Sequence, residues 1–150
     1  MALPTSIELH IVTPDRELVR EQVDEIEIPG SEGYFGVLPG HTPMIAELAV
    51  GELWYRKGTE KTYLAVAFGF SEVLPDRVTV LALLAEKAVE IDPERAEEAR
   101  KRAEARLQQL KDVDYDRARS ALMKALARLQ VVSRAEADVR AGRPRTHQQG

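Results

Sequence analysis

The chain has 150 residues and a formal net charge of -4, with 44% hydrophobic and 31% charged residues. This balance suits one ordinary domain, or a small domain with an appendage, and gives the whole chain no electrostatic reason to bind nucleic acid or an anionic membrane surface. The absence of cysteine excludes disulfides, zinc–thiolate sites and thiol nucleophiles. The most apolar run, residues 78–85, is too short to span a bilayer, and the first residues do not resemble a targeting signal.

Short strands are predicted over the first 87 residues. Apolar and polar residues alternate at 7–11 and again at 23–28, which is the period of half-buried strands. Further strands are predicted at 42–48, 52–56, 62–67, 68–74 and 77–83. The breaks between them contain Pro, Gly and Asp, which favour turns. Many short strands at this spacing are typical of an antiparallel sandwich or barrel.

A different pattern begins at Asp92, after which no glycine occurs until residue 142 and Ala, Glu, Arg and Leu dominate. Asp92 followed by Pro93 signals a helix start, because aspartate can cap the first amides and proline at the first helical position loses no hydrogen bond. One helix is predicted from there to about residue 110. A second is predicted over about 115–133, after a short connection.

Both helices carry apolar residues three and four positions apart, which predicts an antiparallel hairpin. The stripe comprises Ala96, Ala99, Ala103, Leu107 and Leu110 in the first helix and Ala118, Leu122, Ala125, Leu129 and Val132 in the second. Because alanine buries far less surface than leucine, we expect the hairpin to detach or straighten easily. The predicted fold class is α+β, mainly β: an N-terminal antiparallel β-sandwich (1–87), a C-terminal antiparallel α-helical hairpin (88–134) and a disordered tail (135–150).

No catalytic or metal-binding constellation is recognisable. The three histidines are predicted in a strand, a turn and the tail, without ligand spacing. Gly30, Gly33 and Gly36 recur every third residue, but no helix start follows, so they are interpreted as turn glycines and not as a phosphate-binding loop. We predict a protein that is not an enzyme. A generic adaptor that binds a partner through its hairpin, and a β domain that binds a small molecule, both stay open on these patterns.

The most informative segment is residues 28–43, which read IPGSEGYFGVLPGHTP. It closely resembles a stretch of the epsilon subunit of bacterial and chloroplast ATP synthases. Further matches follow in the same order, at AFGF (67–70), VTVLA (78–82), IDPERA (91–96) and DVDY (112–115). The resemblance covers about residues 7–132. The occurrence of all these motifs in the same order supports it more strongly than any single motif does.

The resemblance implies a non-catalytic part of a rotor. In this family the sandwich packs against the gamma subunit and its loops contact the ring of membrane c subunits, so that proton translocation through the ring is coupled to ATP synthesis. Glu32, Tyr34 and His41 match the family's c-ring-facing loops. The implied location is the cytoplasmic face of the bacterial inner membrane, as a peripheral protein that reaches the membrane only through the complex.

The resemblance also implies a regulatory hairpin. In the family it either folds onto the sandwich or extends along gamma, where its basic second helix meets the alpha and beta subunits and inhibits ATP hydrolysis. Arg117, Lys124 and Arg128 lie within about 40° of one another on a helix and would form this inhibitory basic face. The alternative interpretation is an ordinary solvated helix face.

A regulatory ATP site is a further implication. The IDPERA segment matches the motif by which some bacterial epsilon subunits bind ATP in the folded-down state, and Glu86, Asp92 and Arg95 fall on matching positions. Lys124 and Arg128 fall where those relatives have two arginines. Lysine offers a point charge instead of a planar fork for phosphate, so weak binding is expected, and no other cofactor is implied. Asp92 is equally explained as a helix cap.

Overall fold

The computed structural model describes residues 3–109 and 114–142. In this part of the chain, eight strands precede a short 3-10 helix and two α-helices. The strands are β1 (Ile7–Val12), β2 (Glu17–Val23), β3 (Glu25–Gly30), β4 (Gly33–Val37), β5 (Met44–Glu47), β6 (Gly51–Lys57), β7 (Glu60–Val73) and β8 (Arg77–Lys87). The 3-10 helix spans Ala88–Glu90, and the α-helices are α1 (Pro93–Leu107) and α2 (Tyr115–Arg140).

The strands form one hydrogen-bonded sheet in the order β2-β1-β8-β7-β6-β3-β4, with β5 paired to the last residues of β7. Among the described strands every pair is antiparallel except β1 with β8, which run parallel. The predicted fold class is confirmed, since a β-sandwich is followed by a helical hairpin. The parallel pair is the one departure from a fully antiparallel sandwich.

One apolar core fills the sandwich, and alternate residues of the strands point into it. Ile7, Leu9 and Ile11 of β1 are fully buried, whereas Glu8 and His10 between them are half-buried. Each large aliphatic side chain buried in this way contributes about 1.5–3 kcal/mol to folding relative to exposure. The alternation predicted at 7–11 is thus confirmed.

Two strands, β2 and β4, are missing from the predicted set, and both are edge strands of the sheet. In β2 only Val19 and Val23 are buried, so its alternation is faint. In β4 the interpretation of Gly36 as a turn glycine is wrong, because this residue pairs with Glu27 inside the strand. Edge strands need fewer apolar residues for packing, and their sequence signal is correspondingly weak.

A single strand, β7, stands where two were predicted at 62–67 and 68–74. Phe68 (φ 60°) and Gly69 (φ 117°) put a kink between its two parts. The first part pairs with β6 and the second with β5, while β8 follows both. The kink therefore lets one strand join both sides of the sandwich.

The helices begin as predicted. The Asp92 carboxylate accepts hydrogen bonds from the backbone N–H groups of Glu94 (3.0 Å) and Arg95 (3.3 Å) at the start of α1. Asp114 accepts one from the Arg117 N–H at the start of α2 (3.1 Å). The predicted end of the first helix at residue 110, and the connection at 111–113, lie outside the described residues.

The second helix is longer than predicted, because α2 continues past Ser133 to Arg140. The predicted disordered tail from residue 135 is therefore wrong as far as Arg140. Ala135 packs against the sheet side of the hairpin, and Asp138 accepts a hydrogen bond from the Tyr63 hydroxyl at 2.7 Å. These tertiary contacts leave no trace in the local sequence pattern. Residues 143–150 lie outside the described residues.

The hairpin is folded down on the sheet, so α2 packs on both α1 and the sandwich. Ala118 and Ala125 of the predicted stripe are buried, and so are Ala127 and Val131, which lie outside that stripe. The last two belong to a cluster between the helices and the sheet, here called the helix-facing cluster, formed by Tyr63, Ala65, Ile91, Ala96, Ala127 and Val131. A prediction made from one stripe could not show this second packed face.

Replacement of Gly69 by alanine is expected to destabilise the fold. A Cβ at this position would lie 1.9 Å from the Leu81 carbonyl oxygen, and the φ of 117° is unfavourable for any L side chain. The loss in free energy of unfolding should be roughly 2 kcal/mol or more, measured by urea denaturation. Gly36→Ala is the matched control, because its Cβ would meet open space. Equal effects of the two substitutions would contradict this role of the kink.

Candidate functional site

An open pocket of about 530 Å³ lies between the end of β8, the 3-10 helix, α1 and α2. Its lining residues are Glu86, Glu90, Ile91, Asp92, Arg95, Ala96, Glu98, Ala99, Arg102 and Arg128. Four of the five residues predicted for nucleotide binding are among them: Glu86, Asp92, Arg95 and Arg128. Because these four come from β8, the start of α1 and α2, the folded-down hairpin is what brings them together.

The fifth predicted residue, Lys124, does not line the pocket. Its ammonium lies 5.3 Å from the centroid of the Phe68 ring on β7, at cation–π distance. Lys124 lies one helical turn before Arg128, and at this position it reaches β7 and not the pocket. Arg102 lines the pocket and was not predicted. Its spacing of seven residues from Arg95, about two turns along one helix face, is the signal that could have found it.

Arg128 ties α2 to the end of β8 through a bidentate ion pair. Its Nε donates to Glu86 Oε2 at 2.9 Å, and its Nη2 donates to Glu86 Oε1 at 2.7 Å. Both side chains are mostly buried, with 25% and 28% exposure, so the pair is less screened than a surface ion pair. A phosphate group entering the pocket would compete with Glu86 for the same guanidinium.

The remaining charged groups of the pocket are two engaged acids, one exposed acid, Glu98, and two accessible bases. Glu90 accepts a hydrogen bond from Arg16 Nη2 at 2.7 Å, and Asp92 caps α1. Arg95 and Arg102 are both exposed on α1. An anion in the pocket would therefore meet two accessible guanidinium groups on α1 and a third on α2 that is shared with Glu86.

The residues predicted in c-ring-facing loops do not form one surface. Glu32 is exposed in the turn before β4, whereas His41 lies beyond the other end of that strand, whose five residues span roughly 17 Å at about 3.3 Å per residue. Tyr34 lies within β4, and its hydroxyl accepts a hydrogen bond from the Glu52 N–H at 3.2 Å. The Gly40 N–H donates to the Pro75 carbonyl at 2.8 Å, which places the His41 turn beside the β7–β8 turn.

Exposed apolar side chains cluster on β5, β7 and β8. This outer apolar surface consists of Ile45, Phe70, Leu81 and Leu83, whose exposures lie between 55 and 73%. Phe70 and Leu81 are direct cross-strand partners, and Leu83 follows Leu81 on the same side of β8. A contiguous exposed patch of this kind is typical of an interaction site. The sequence did not reveal it, because these residues look like ordinary core positions of a strand.

The predicted basic face of the second helix is only partly solvated in this conformation. Arg117 is exposed near the start of α2. Lys124 lies over Phe68, and Arg128 is paired with Glu86. Two of the three cations therefore hold the hairpin on the sheet and are not presented to solvent as one stripe.

No metal centre is found in the described part of the chain, where no group of three or more His, Cys, Asp or Glu could hold a metal ion. His10 lies in a strand, as predicted, with its Nε2 2.9 Å from Glu8 Oε1 and its Nδ1 3.5 Å from Glu17 Oε1. This places it in a polar cluster on the surface of the sheet. Within residues 3–109 and 114–142, no helix is long and apolar enough to cross a membrane.

The two halves of the chain match two family models. Residues 6–88 match the beta-sandwich domain of the ATP synthase delta/epsilon chain, and residues 90–133 match its long alpha-helix domain. The ATP synthase epsilon chain of Koribacter versatilis is 54% identical over 103 residues, which cover 69% of this chain and 72% of that protein. The ATP synthase epsilon chain of Syntrophobacter fumaroxidans is 53% identical over 106 residues, covering 71% and 79%.

Solved structures agree with these relatives. A chain of the Euglena gracilis mitochondrial ATP synthase, in an OSCP/F1/c-ring structure, superposes with a TM-score of 0.68 and 27% identity over 93% of this chain and 84% of that chain. A chain of the Tetrahymena thermophila mitochondrial ATP synthase central stalk/c-ring, at 14% identity and a TM-score of 0.52 over 89% and 98% of the two chains, shares the fold. With both family domains present in order and relatives above 50% identity, the chain belongs to the epsilon-subunit family of F-type ATP synthases.

Proposed function

We propose that the chain is a non-catalytic rotor subunit of a proton-translocating ATP synthase, which binds the gamma subunit and the c ring and restrains ATP hydrolysis through its hairpin. The likeness to a chain of an F1/c-ring structure supports the assembly. The observation that carries the proposal is the outer apolar surface. Attachment to the complex would hold the chain at the cytoplasmic face of the bacterial inner membrane, as a peripheral protein.

The outer apolar surface is the proposed contact with gamma. It lies on regular strands whose backbone is already hydrogen-bonded, so a partner can cover it without rearranging the sheet. Lys124 of α2 contacts Phe68, which lies two residues before Phe70. The outer apolar surface therefore begins next to a residue of β7 that the hairpin contacts. Covering large apolar side chains would contribute about 25 cal/mol per Å² of buried area.

For the c ring we propose one contact turn. Glu32 and Ser31 are exposed in the tight turn between β3 and β4. His41 is half-buried, and its Nδ1 lies 2.7 Å from the Thr42 carbonyl oxygen. Because the two turns flank opposite ends of β4, we assign the ring contact to the turn that carries Glu32.

Leu81→Glu is expected to weaken binding to purified gamma at least tenfold, because it places a charge at the centre of the outer apolar surface. Leu126→Glu is the matched control, since Leu126 is similarly exposed (46%) but lies on α2. Binding can be measured by calorimetry with the full-length chain. A loss of affinity that is the same for both variants would contradict the assignment of this surface to gamma.

The hairpin is the proposed inhibitory element, and its position decides whether its charges are available. While α2 lies on the sheet, Lys124 and Arg128 contact Phe68 and Glu86. Extension of the hairpin would expose both cations beside Arg117 and complete the basic face for the alpha and beta subunits. The same residues would thus hold the non-inhibitory conformation and make the inhibitory contacts.

Replacing Arg117, Lys124 and Arg128 together by alanine should raise ATP hydrolysis by the assembled enzyme several-fold, because the extended helix would lose its charge complementarity with the catalytic head. Alanine preserves helix propensity. Arg117→Ala alone should raise hydrolysis without disturbing the docked hairpin, since Arg117 is exposed there. Arg119→Ala, on another side of α2, is the control. Hydrolysis unchanged by the triple replacement at several salt concentrations would exclude this face as the inhibitor.

The pocket between β8, α1 and α2 is the proposed site for regulatory ATP. Arg95, Arg102 and Arg128 all line one open, polar space, and arginine suits planar, bidentate contact with phosphate. Because the pocket includes residues of both the sheet and α2, bound ATP would favour the docked hairpin through its preference for that state. No group in this arrangement is positioned as a nucleophile, so the nucleotide would be a ligand and not a substrate.

Titration of the isolated full-length chain with ATP should show weak binding, with a dissociation constant of roughly 0.1–1 mM. Arg95→Ala and Arg128→Ala should abolish it, because each removes a guanidinium from the pocket. Lys124→Ala should leave it nearly unchanged, since Lys124 lies over Phe68. Calorimetry or NMR can follow the titration. No binding at millimolar ATP would reject the site.

A further inference from the structure

The part of α2 beyond the ATP pocket makes a second set of polar contacts with the sheet. Two residues of the sheet, Glu52 on β6 and Tyr63 on β7, meet Arg134 and Asp138 of α2. We call these four residues the C-terminal latch. None of the four lines the pocket, which lies around Arg128 nearer the middle of the helix.

In one contact of the latch, a neutral hydroxyl donates a hydrogen bond to a carboxylate. The Tyr63 hydroxyl donates to Asp138 Oδ2 at 2.7 Å, and the Tyr63 ring is buried in the helix-facing cluster. Burial, and then the hydrogen bond to Asp138, raise the pKa of Tyr63 well above its ordinary value. The phenol therefore keeps its proton and remains a donor at every physiological pH, so this contact stabilises the docked hairpin steadily.

The other contact is a poorly compensated buried carboxylate. Glu52 is 5% exposed, yet its Oε2 has no hydrogen-bond partner among the described residues. Its nearest cation is Arg134, whose Nε lies 3.9 Å from Oε2 and whose side chain is 59% exposed. The Gln130 side chain hydrogen-bonds the same carboxylate. An ionised group in this position is expensive to bury, and one distant, solvated arginine offsets little of that cost.

We propose that the C-terminal latch is a proton-sensitive switch, in which Glu52 opposes docking of α2 when it is ionised and ceases to oppose it when protonated. The geometry points to this because α2 supplies both Gln130 and Arg134 over Glu52. When the hairpin leaves the sheet, that cover leaves with it and the carboxylate regains water. Protonation of one buried group is thereby coupled to the position of a whole helix.

The charges around Glu52 decide the direction of the effect. Burial raises the pKa of Glu52 from its ordinary value of 4.5, and the Glu27 carboxylate on β3 adds to the rise, whereas Arg134, Gln130 and Lys61 on β7 lower it. Asp138, through Tyr63, is the remaining carboxylate of the latch. Since the docked state then binds more protons than the released state, lowering the pH from above the docked pKa towards 4.5 favours docking.

The consequence for regulation rests on the proposed function. If an extended hairpin inhibits hydrolysis, acidification would keep the hairpin on the sandwich and alkaline conditions would make it available to the catalytic head. The equilibrium itself belongs to the isolated chain and can be measured without gamma, the c ring or the catalytic head. Failure of the latch and failure of the inhibitory role are therefore distinguishable.

The full-length chain can report hairpin position directly. It has no native cysteine, so Lys57→Cys and Arg119→Cys, both at exposed positions, provide two dye sites on the sandwich and on α2. Single-molecule energy transfer between pH 5 and 8 should show the docked fraction rising as pH falls. The docked-to-released ratio should change at most tenfold per pH unit, because one proton is taken up.

Variants assign the response to Glu52. Glu52→Gln should increase the docked fraction at pH 8 and remove the pH dependence, while Glu72→Gln, an exposed glutamate on β7, should change neither. Arg134→Ala, at an exposed position that tolerates truncation, should move the transition to higher pH. Asp138→Asn should weaken docking at every pH and leave the pH dependence in place.

If the native chain is almost wholly docked, the same titration is done in an Arg128→Ala background. Loss of the ion pair to Glu86 then raises the fraction of the released state to a measurable level. A docked fraction that does not vary with pH in either background would overturn the proposal. So would a pH dependence that persists unchanged in Glu52→Gln.

Discussion

Burial of the first part of β7 on both of its faces is the constraint on which the rest of this structure depends. Leu64 and Val66 point into the sandwich core, while Tyr63 and Ala65 point into the helix-facing cluster. The strand has its backbone bonded to β6 on one side and β8 on the other. The hairpin therefore lies on a finished sheet, and it can leave without breaking a strand.

The hairpin is attached along the length of α2, through the apolar helix-facing cluster and through polar contacts with the sheet. Lys124 over Phe68, Arg128 with Glu86 and the C-terminal latch follow one another along the helix. Desolvation offsets much of the attraction in such pairs, so each contributes modestly. Under the proposed function, nucleotide, protons or a competing protein surface would each shift the balance between the docked and the released hairpin.

Local sequence patterns were sufficient to predict much of the secondary structure. They failed where contacts with distant elements determine the position of a residue or the end of a helix. The Asp92–Pro93 helix start and the alternation in β1 were predictable because each depends on neighbours in sequence. The end of α2 was not, since Tyr63 fixes its last turns from another element. Of the pocket, four residues were predicted through the family motif. Arg102 was missed although its spacing from Arg95 is a local signal, whereas the position of Lys124 depends on how α2 crosses the sheet.

In the proposed function one subunit serves two tasks: the sandwich attaches to the rotor through its outer apolar surface, and the hairpin responds to conditions by docking on the sheet or leaving it. The most direct test is cross-linking mass spectrometry on the complex that the tagged, full-length chain brings down from membranes of the cells that encode it. We expect gamma and c subunits in that complex, with cross-links to gamma from Glu47 and Glu72, the cross-strand partners of Phe70 and Ile45 in the outer apolar surface. A complex without gamma, or cross-links to gamma confined to the outer face of α2, would contradict the account.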